Sequence, residues 1–205
     1  MLELYLIRHG QCEANLLKHI VGGRSNYSPL TELGEQQAKL LGNRLKKENV
    51  NFEGVYSSIA ERAKDTAKIV CNIIGFPLDQ IILSEDFQEQ SHGSYEGCLR
   101  DDIWTPESLK SWEKDKHNYA LPSGESLKNA GKRWYDGVEK YLLNKNGTYA
   151  IFGHGTAIRC FLAELFNFTG ETILSLHTGN TSISEVRYDN GQWSLKRLND
   201  NSHLK

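Results

Sequence analysis

Apolar positions in this chain fall into short unbroken runs and into spaced stripes, and the two alternate along its length. Leu4-Tyr5-Leu6-Ile7 is a run of strand length, ended by Arg8, His9 and Gly10. A run that short, closed by polar and turn residues, predicts a buried strand. Val55-Tyr56-Ser57-Ser58, Ile81-Ile82-Leu83 and Tyr149-Ala150-Ile151-Phe152 repeat the pattern. Between the runs, apolar residues recur at helical spacing. Leu33, Leu40, Leu41 and Leu45 follow Thr31, which predicts a helix capped by Thr31 with Glu32 and Glu35 in its first turn. Ile69, Val70, Ile73 and Ile74 predict a helix from near Ala60 to Gly75, where the glycine suits a C-cap. Ser126-Leu127 opens another, with Trp134, Val138, Tyr141 and Leu142 on its apolar side, and a further helix runs through Phe161, Leu162 and Leu165. Trp104, Leu109 and Trp112 among charges predict a helical excursion over residues 104–117 that covers the site.

The chain closes on apolar alternation over residues 182–188 and 193–198, with Asn190-Gly191 between them. Asn-Gly between alternating runs is a strong hairpin signal. Strands alternating with helices over most of the length define an α/β protein with a mostly parallel sheet. The expected architecture is a three-layer sandwich, helices on both faces of the sheet, with the C-terminal hairpin at one edge. A chain of 205 residues is enough for a real core and reads as one domain, residues 1–205.

Composition narrows the class. Hydrophobic residues at 39% and charged residues at 24% are ordinary globular values, against disorder and against a membrane span. With 24 basic and 26 acidic residues there is no excess positive charge to attract nucleic acid or an acidic membrane, so any anion site is local. Cys12, Cys71, Cys98 and Cys160 are widely spaced, which fits neither a zinc site nor a disulfide framework. They read as reduced thiols. No basic region followed by a long apolar stretch opens the chain, so a cytoplasmic location is expected.

The strand ends carry the candidate chemistry. Ligands in open α/β sheets collect at the carboxyl ends of strands. Arg8 offers a permanent forked cation suited to phosphate. His9 offers a nitrogen that acts as base or nucleophile near neutral pH. The run ending Gly153-His154-Gly155 echoes the first, and two such ends side by side would bring two imidazoles into one pocket. Arg62 stands in the first turn of a helix just past a strand end, unfavourable for the helix dipole and favourable for an anion. Asn15 either donates into the pocket or lies on a helix surface. Arg24, on the turn-rich stretch 22–29, either reaches a substrate or is solvated.

Taken together, Leu6-Ile7-Arg8-His9-Gly10, Pro29-Leu30-Thr31 with Gly34 and Gln37-Ala38, Tyr56-Ser57-Ser58 with Arg62-Ala63 and Thr66-Ala67, Gly124-Glu125-Ser126 and Gly153-His154-Gly155 resemble the histidine phosphatase superfamily, the phosphoglycerate-mutase-like proteins. Leu198-Asn199-Asp200 with His203-Leu204 resembles its small branch of cobalamin-pathway, broad-specificity and metal-independent phosphoserine phosphatases. The resemblance covers nearly the whole chain. It implies that His9 is the nucleophile that becomes phosphohistidine, that Arg8, Arg62 and His154 ring the phosphate, and that Asn15 adds a contact. The family acid lies four residues before the glycine of a Phe/Tyr-Gly-x-x-x-Gly segment. That glycine is Gly93 here, so the acid is Glu89, with Glu85 the fallback if the register slips. His92 stands where relatives carry an aromatic residue, which changes the wall of the substrate pocket. Gly155 and Arg24 join His92 as expected substrate contacts.

The implied reaction is metal-independent hydrolysis of a small phosphorylated metabolite, with no cofactor. His9 attacks in line, and Glu89 protonates the departing oxygen and then activates the hydrolytic water. Phosphoserine, ribazole phosphate and a broad spectrum are the candidate substrates. Mutase-type phosphoryl transfer is the alternative, and the short interval between Glu89 and His154 favours hydrolysis over it. A non-catalytic phosphate-binding module would lack one of these side chains, and all are present. The oligomeric state is open, a homodimer being one expectation.

Overall fold

The computed structural model describes residues 1–205. In chain order the elements are β1 (Leu2–Arg8), α1 (Glu13–Leu16), α2 (Glu32–Lys47), β2 (Gly54–Ser58), α3 (Glu61–Ile74) and β3 (Ile82–Ser84). There follow α4 (Arg100–Ile103), α5 (Pro106–Lys114), α6 (Leu127–Tyr141), β4 (Gly147–Gly153), α7 (Gly155–Phe166), α8 (Gly170–Ser175), β5 (Ile183–Asp189) and β6 (Gln192–Asp200). Single 3-10 turns occupy Leu78–Gln80, Glu85–Phe87, Gly93–Tyr95 and Ser202–Leu204.

Six strands form one sheet in the order β3-β2-β4-β1-β5-β6. β3, β2, β4 and β1 are mutually parallel, and β5 and β6 add antiparallel. The turn joining β5 to β6 has Asn190 and Gly191 at positive φ, 49° and 81°, the conformation that an Asn-Gly hairpin turn requires.

Period-two alternation splits the strand side chains between two cores. Leu2, Leu4 and Leu6 of β1, with Tyr149 and Ile151 of β4, pack against Trp134 and Val138 of α6 and Ile158, Phe161 and Leu162 of α7. Tyr5 and Ile7, with Ala150 and Phe152, pack against Leu41 and Leu45 of α2 and Ala67, Val70 and Cys71 of α3. Helices therefore cover both faces, the three layers expected. Strands buried on both faces read as continuous apolar runs, which is why β1 and β4 stand out in the sequence.

Helix boundaries follow their caps. Thr31 Oγ1 accepts from Gly34 N at 3.1 Å, and α3 ends on Gly75 at φ 81°. The buried stripe of α2 differs from the one expected. Leu33 and Leu40 face solvent, and Gly34, Ala38, Leu41, Gly42 and Leu45 face the sheet. Small residues take the inner face because α2 lies close against the β1 turn and α3. The stretch 104–117 is helical at α5, but Trp104, Trp112 and Tyr119 stack on one another away from the strand ends, and no residue of it lines the cleft described below. No helix is long and apolar enough to cross a membrane.

Candidate active site

The carboxyl ends of β1, β2 and β4 converge on one cleft. β1 pairs with β4 in register up to Arg8 beside Gly153, so the next residues, His9 and His154, emerge side by side. Their ring centroids are 5.2 Å apart. β2 ends at Ser58, and α3 begins three residues later with Arg62 in its first turn.

The turn after β1 is held by close backbone approach. A Cβ on Gly10 would lie 2.5 Å from the carbonyl oxygen of Gly34 at the start of α2, so only glycine fits. Gly10 N donates to Thr66 Oγ1 at 3.0 Å, and Thr66 Oγ1 donates to Arg62 O at 2.6 Å. Thr66 of α3 thus fixes the His9 turn and the Arg62 turn to each other.

A hydrogen bond to a carbonyl assigns the His9 imidazole. His9 Nδ1 lies 2.7 Å from Gly10 O. A carbonyl oxygen only accepts, so Nδ1 carries the proton and Nε2 the lone pair. Burial, then Arg62 and Arg8, hold His9 well below the ordinary histidine range, so the ring is neutral at pH 7. Ser58 Oγ accepts from Ala60 N at 3.3 Å and meets His154 Nε2 at 2.9 Å. His154 is also held well below the ordinary range, by burial first, then Arg62, His9 and Arg8.

His154 Nδ1 and Arg8 Nε are buried and have no hydrogen-bond partner. Buried donors are almost always satisfied. Arg8 Nε can only donate, so this orphan at the end of β1 marks a place for an acceptor oxygen. Arg8 Nη1 donates to Thr178 O at 2.6 Å, and Arg62 donates to the carbonyls of Ser25, Arg24 and Gly23 at 2.7, 2.9 and 3.3 Å. Both guanidiniums are thereby oriented, and burial lowers the proton affinity of each.

Glu89 occupies the amino end of α7. Its carboxylate accepts from Ala157 N at 2.8 Å, Thr156 N at 3.2 Å and Gln90 N at 2.9 Å. A negative group there complements the helix dipole. α6 clamps the segment on the other side. Trp134 Nε1 donates to Gln88 O at 2.9 Å, and Arg133 donates to the carbonyls of Asp86, Gln88 and Glu89. Trp134 is fully buried, and its removal would cost roughly 3–5 kcal/mol and loosen the Glu89 backbone with it.

The cleft has a volume of about 440 Å³. Arg8, His9, Asn15, Arg62, Glu89, His92 and Gly155 line it, and the fully buried His154 ring packs edge-on against that of His9. Asn15 Oδ1 accepts from Asn180 Nδ2 at 3.2 Å and from Cys12 N at 3.2 Å, which turns its amide group toward the cleft. Two expectations are corrected. Arg24 does not line the cleft, because its guanidinium pairs with Glu125 at 3.3 Å. Glu85 is exposed and lies off the cleft, leaving Glu89 as its one carboxylate. His92 is at the wall as expected, and burial holds its pKa below the ordinary histidine value.

Lys18, Arg100, Arg159 and Thr178, none singled out from the sequence, also stand on the cleft wall. Ser58 and Asn180, likewise not singled out, hold His154 and His9 by hydrogen bonds. The polar run Gly179-Asn180-Thr181-Ser182 before β5 was the available signal for Asn180. Lys18 and Arg100 come from loops whose course no periodicity reports.

Fold and site together define a three-layer α/β protein with a histidine pair and two arginines at its strand ends. A model of the histidine phosphatase superfamily (branch 1) matches residues 4–201, and the chain belongs to that superfamily. A phosphoglycerate mutase of Schizosaccharomyces pombe is 32% identical over 206 residues, 97% of this chain and 96% of the relative. Bacillus stearothermophilus YhfR superposes with a TM-score of 0.87 at 29% identity over 100% of both chains. A mutant phosphoserine phosphatase from Entamoeba histolytica, in complex with phosphoserine, superposes with a TM-score of 0.80 at 26% identity over 100% of both chains.

Proposed function

We propose that this protein is a metal-independent phosphomonoesterase that works through a phosphohistidine on His9. The observation that carries the reading is the His9 tautomer. Gly10 O holds the ring proton on Nδ1, and Nε2 keeps its lone pair in a cleft lined by two arginines. Arg8, Arg62 and His154 hold the phosphoryl oxygens and spread the charge of a loose transition state. Nε2 attacks phosphorus as the ester oxygen departs, and Glu89 protonates that oxygen. The resulting Glu89 carboxylate then takes a proton from water as the water attacks phosphohistidine, which returns His9 to its starting form. Three fixed cationic or donor groups perform the role a divalent metal has elsewhere, so turnover in excess chelator is expected to equal turnover without it.

The rim points to the substrate. Lys18, Arg100 and Arg159 line the cleft beyond the phosphate groups, and Glu89 is the only carboxylate on its wall. Arg159 spends its donors on Gly155, Thr156, Ile173 and Leu176, but Arg100 is exposed and bonds only Lys18 O, through Nε at 2.8 Å. A surplus of positive charge favours a phosphate ester with a second anionic group. Phosphoserine is the first candidate, ahead of ribazole phosphate and of a broad spectrum.

Mutase-type transfer is the second reading, favoured by the name of the 32% identical relative. This chain and that relative match over 97% and 96% of their lengths, so a long insertion between Glu89 and His154 does not separate the two activities here. Lys18 and Arg100 are exposed at the rim of the cleft, where they can take a second anionic group of the substrate, and the reading of hydrolysis rests on the phosphatases among the structural neighbours. Incubation with phosphoserine and with 3-phosphoglycerate, followed by assay of free phosphate and of isomerised product, tests the reading. Isomerised product without phosphate release would replace hydrolase by mutase.

A further inference from the structure

Asn199 and His203 lie outside the cleft, yet they grip the loop that backs the catalytic turn, and Asp200 between them holds Arg44 of α2. Loop 178–182 joins α8 to β5 and touches the end of β1 repeatedly. Thr178 O accepts from Arg8 Nη1 at 2.6 Å, and Ser182 O accepts from Arg8 N at 3.2 Å. The His9 carbonyl accepts from Thr181 N at 3.3 Å and from Asn180 Nδ2 at 3.1 Å. One loop thus sets the backbone position of both side chains that meet the phosphate first.

That loop is held in turn from the C-terminus. Asn199 Oδ1 accepts from Gly179 N at 2.6 Å. His203 Nε2 lies 2.9 Å from Thr181 Oγ1, whose own proton goes to Asn180 O at 2.8 Å. His203 Nε2 is therefore the donor, and its Nδ1 is free to accept from Arg44 Nη1 of α2 at 3.5 Å. Arg44 Nη2 also donates to Asp200 Oδ2 at 2.6 Å. The tail is pinned to α2 at one end and bonded to the loop at the other.

Thr181 makes the contact consequential. It is fully buried, and its φ is +54°. A β-branched residue is strained in that region and stays there only while its surroundings over-determine it. Its partners are His9 O, Asn180 O and His203 Nε2. With His203 gone, Thr181 relaxes toward extended backbone and draws its N–H off the His9 carbonyl.

We infer that residues 199–203 form a strap that positions His9 and Arg8 through Gly179 and Thr181, with His203 as a positioning residue. The inference deepens the reading of the cleft as a phosphohistidine site and rests on it. The test compares His203→Ala, His203→Gln, Thr181→Gly and the double variant His203→Ala/Thr181→Gly with the parent. Three quantities are measured: kcat and KM for p-nitrophenyl phosphate, calorimetric affinity for inorganic phosphate, and melting temperature. His203→Ala lowers kcat roughly tenfold well below its melting temperature, and weakens phosphate binding several-fold. His203→Gln restores kcat to within about twofold, because its amide nitrogen donates from the place of Nε2. In the Thr181→Gly background His203→Ala has no further effect, since glycine has neither the oxygen nor the strain. Unchanged kcat and phosphate affinity with only a lowered melting temperature would overturn the strap, and so would additive effects in the double variant. If His203→Ala does not fold, His203→Asn, whose amide stops short of Thr181, replaces it. A parent that binds phosphate but hydrolyses nothing refutes the phosphatase reading, and the strap is then judged on phosphate affinity alone. A parent that does neither refutes both.

Discussion

His9 Nδ1 and the carbonyl oxygen of Gly10, the very next residue, are 2.7 Å apart, a contact that puts the ring proton on Nδ1 and the lone pair on Nε2. Covalent catalysis through Nε2 leaves a phosphoramidate. Brief exposure to labelled substrate followed by a denaturing quench is expected to leave acid-labile, base-stable label on the parent and none on His9→Ala. The variant should lose at least about 10³-fold in kcat, the scale seen when a nucleophile is removed. Label retained by His9→Ala would assign the intermediate to another residue.

Glu89 caps α7 while facing the cleft, and Glu85 does neither. Glu89→Gln keeps an acceptor at the helix end but has no proton to give a leaving alkoxide. It is expected to slow phosphoserine by about 10²–10⁴-fold. An activated aryl phosphate departs with little protonation and should slow far less. Glu85→Gln should match the parent on both. Equal slowing of the two esters by Glu89→Gln would remove the acid role.

Acid sensitivity follows from the buried histidines. His9 and His154 have folded-state values well below the ordinary 6.5, through burial first and then neighbouring arginines. Between those depressed values and 6.5 the unfolded chain binds protons that the folded chain does not. Stability therefore rises with pH in that window and falls as pH drops below 6.5, by up to about 1.4 kcal/mol per pH unit for each histidine. Melting temperature in phosphate-free buffer should decline from pH 7.5 to pH 5.5, and less steeply in His154→Asn. An identical decline in parent and variant would show that other groups govern it.

Much of this was legible in the sequence because local rules and tertiary structure agree. β1 and β4 are buried on both faces and so stand out as apolar runs, and their ends carry His9 and His154. Thr31, Gly75 and Asn190-Gly191 mark boundaries because each satisfies a backbone need at its own position. What failed depended on partners distant in sequence. Leu33 and Leu40 fit helical spacing, but close approach to the β1 turn and α3 brings Gly34, Ala38 and Gly42 inward beside Leu41 and Leu45 and leaves Leu33 and Leu40 exposed. Arg24 has the charge for a substrate contact, but Glu125, a hundred residues on, takes it. Lys18, Arg100 and Asn180 reach the site from loops, where periodicity carries no information.

The rim of the cleft gives the sharpest test of substrate. Phosphoserine and phosphoethanolamine differ only in a carboxylate. Arg100 is exposed, on the cleft wall, and has guanidinium donors to spare, whereas burial holds the His92 pKa below the ordinary histidine value and its backbone is bound to Glu96. A charge-assisted hydrogen bond contributes about 1.5–3 kcal/mol, roughly ten- to a hundredfold in kcat/KM. The parent should prefer phosphoserine by that factor. Arg100→Gln should remove most of the preference by slowing phosphoserine alone. His92→Phe should change both substrates together, because a neutral wall reads shape and not charge. Loss of the preference in His92→Phe with Arg100→Gln unchanged would return the carboxylate contact to the imidazole. A parent that treats the two esters alike would mean that the surplus positive charge steers phosphate esters in general, and that the enzyme is of broad specificity.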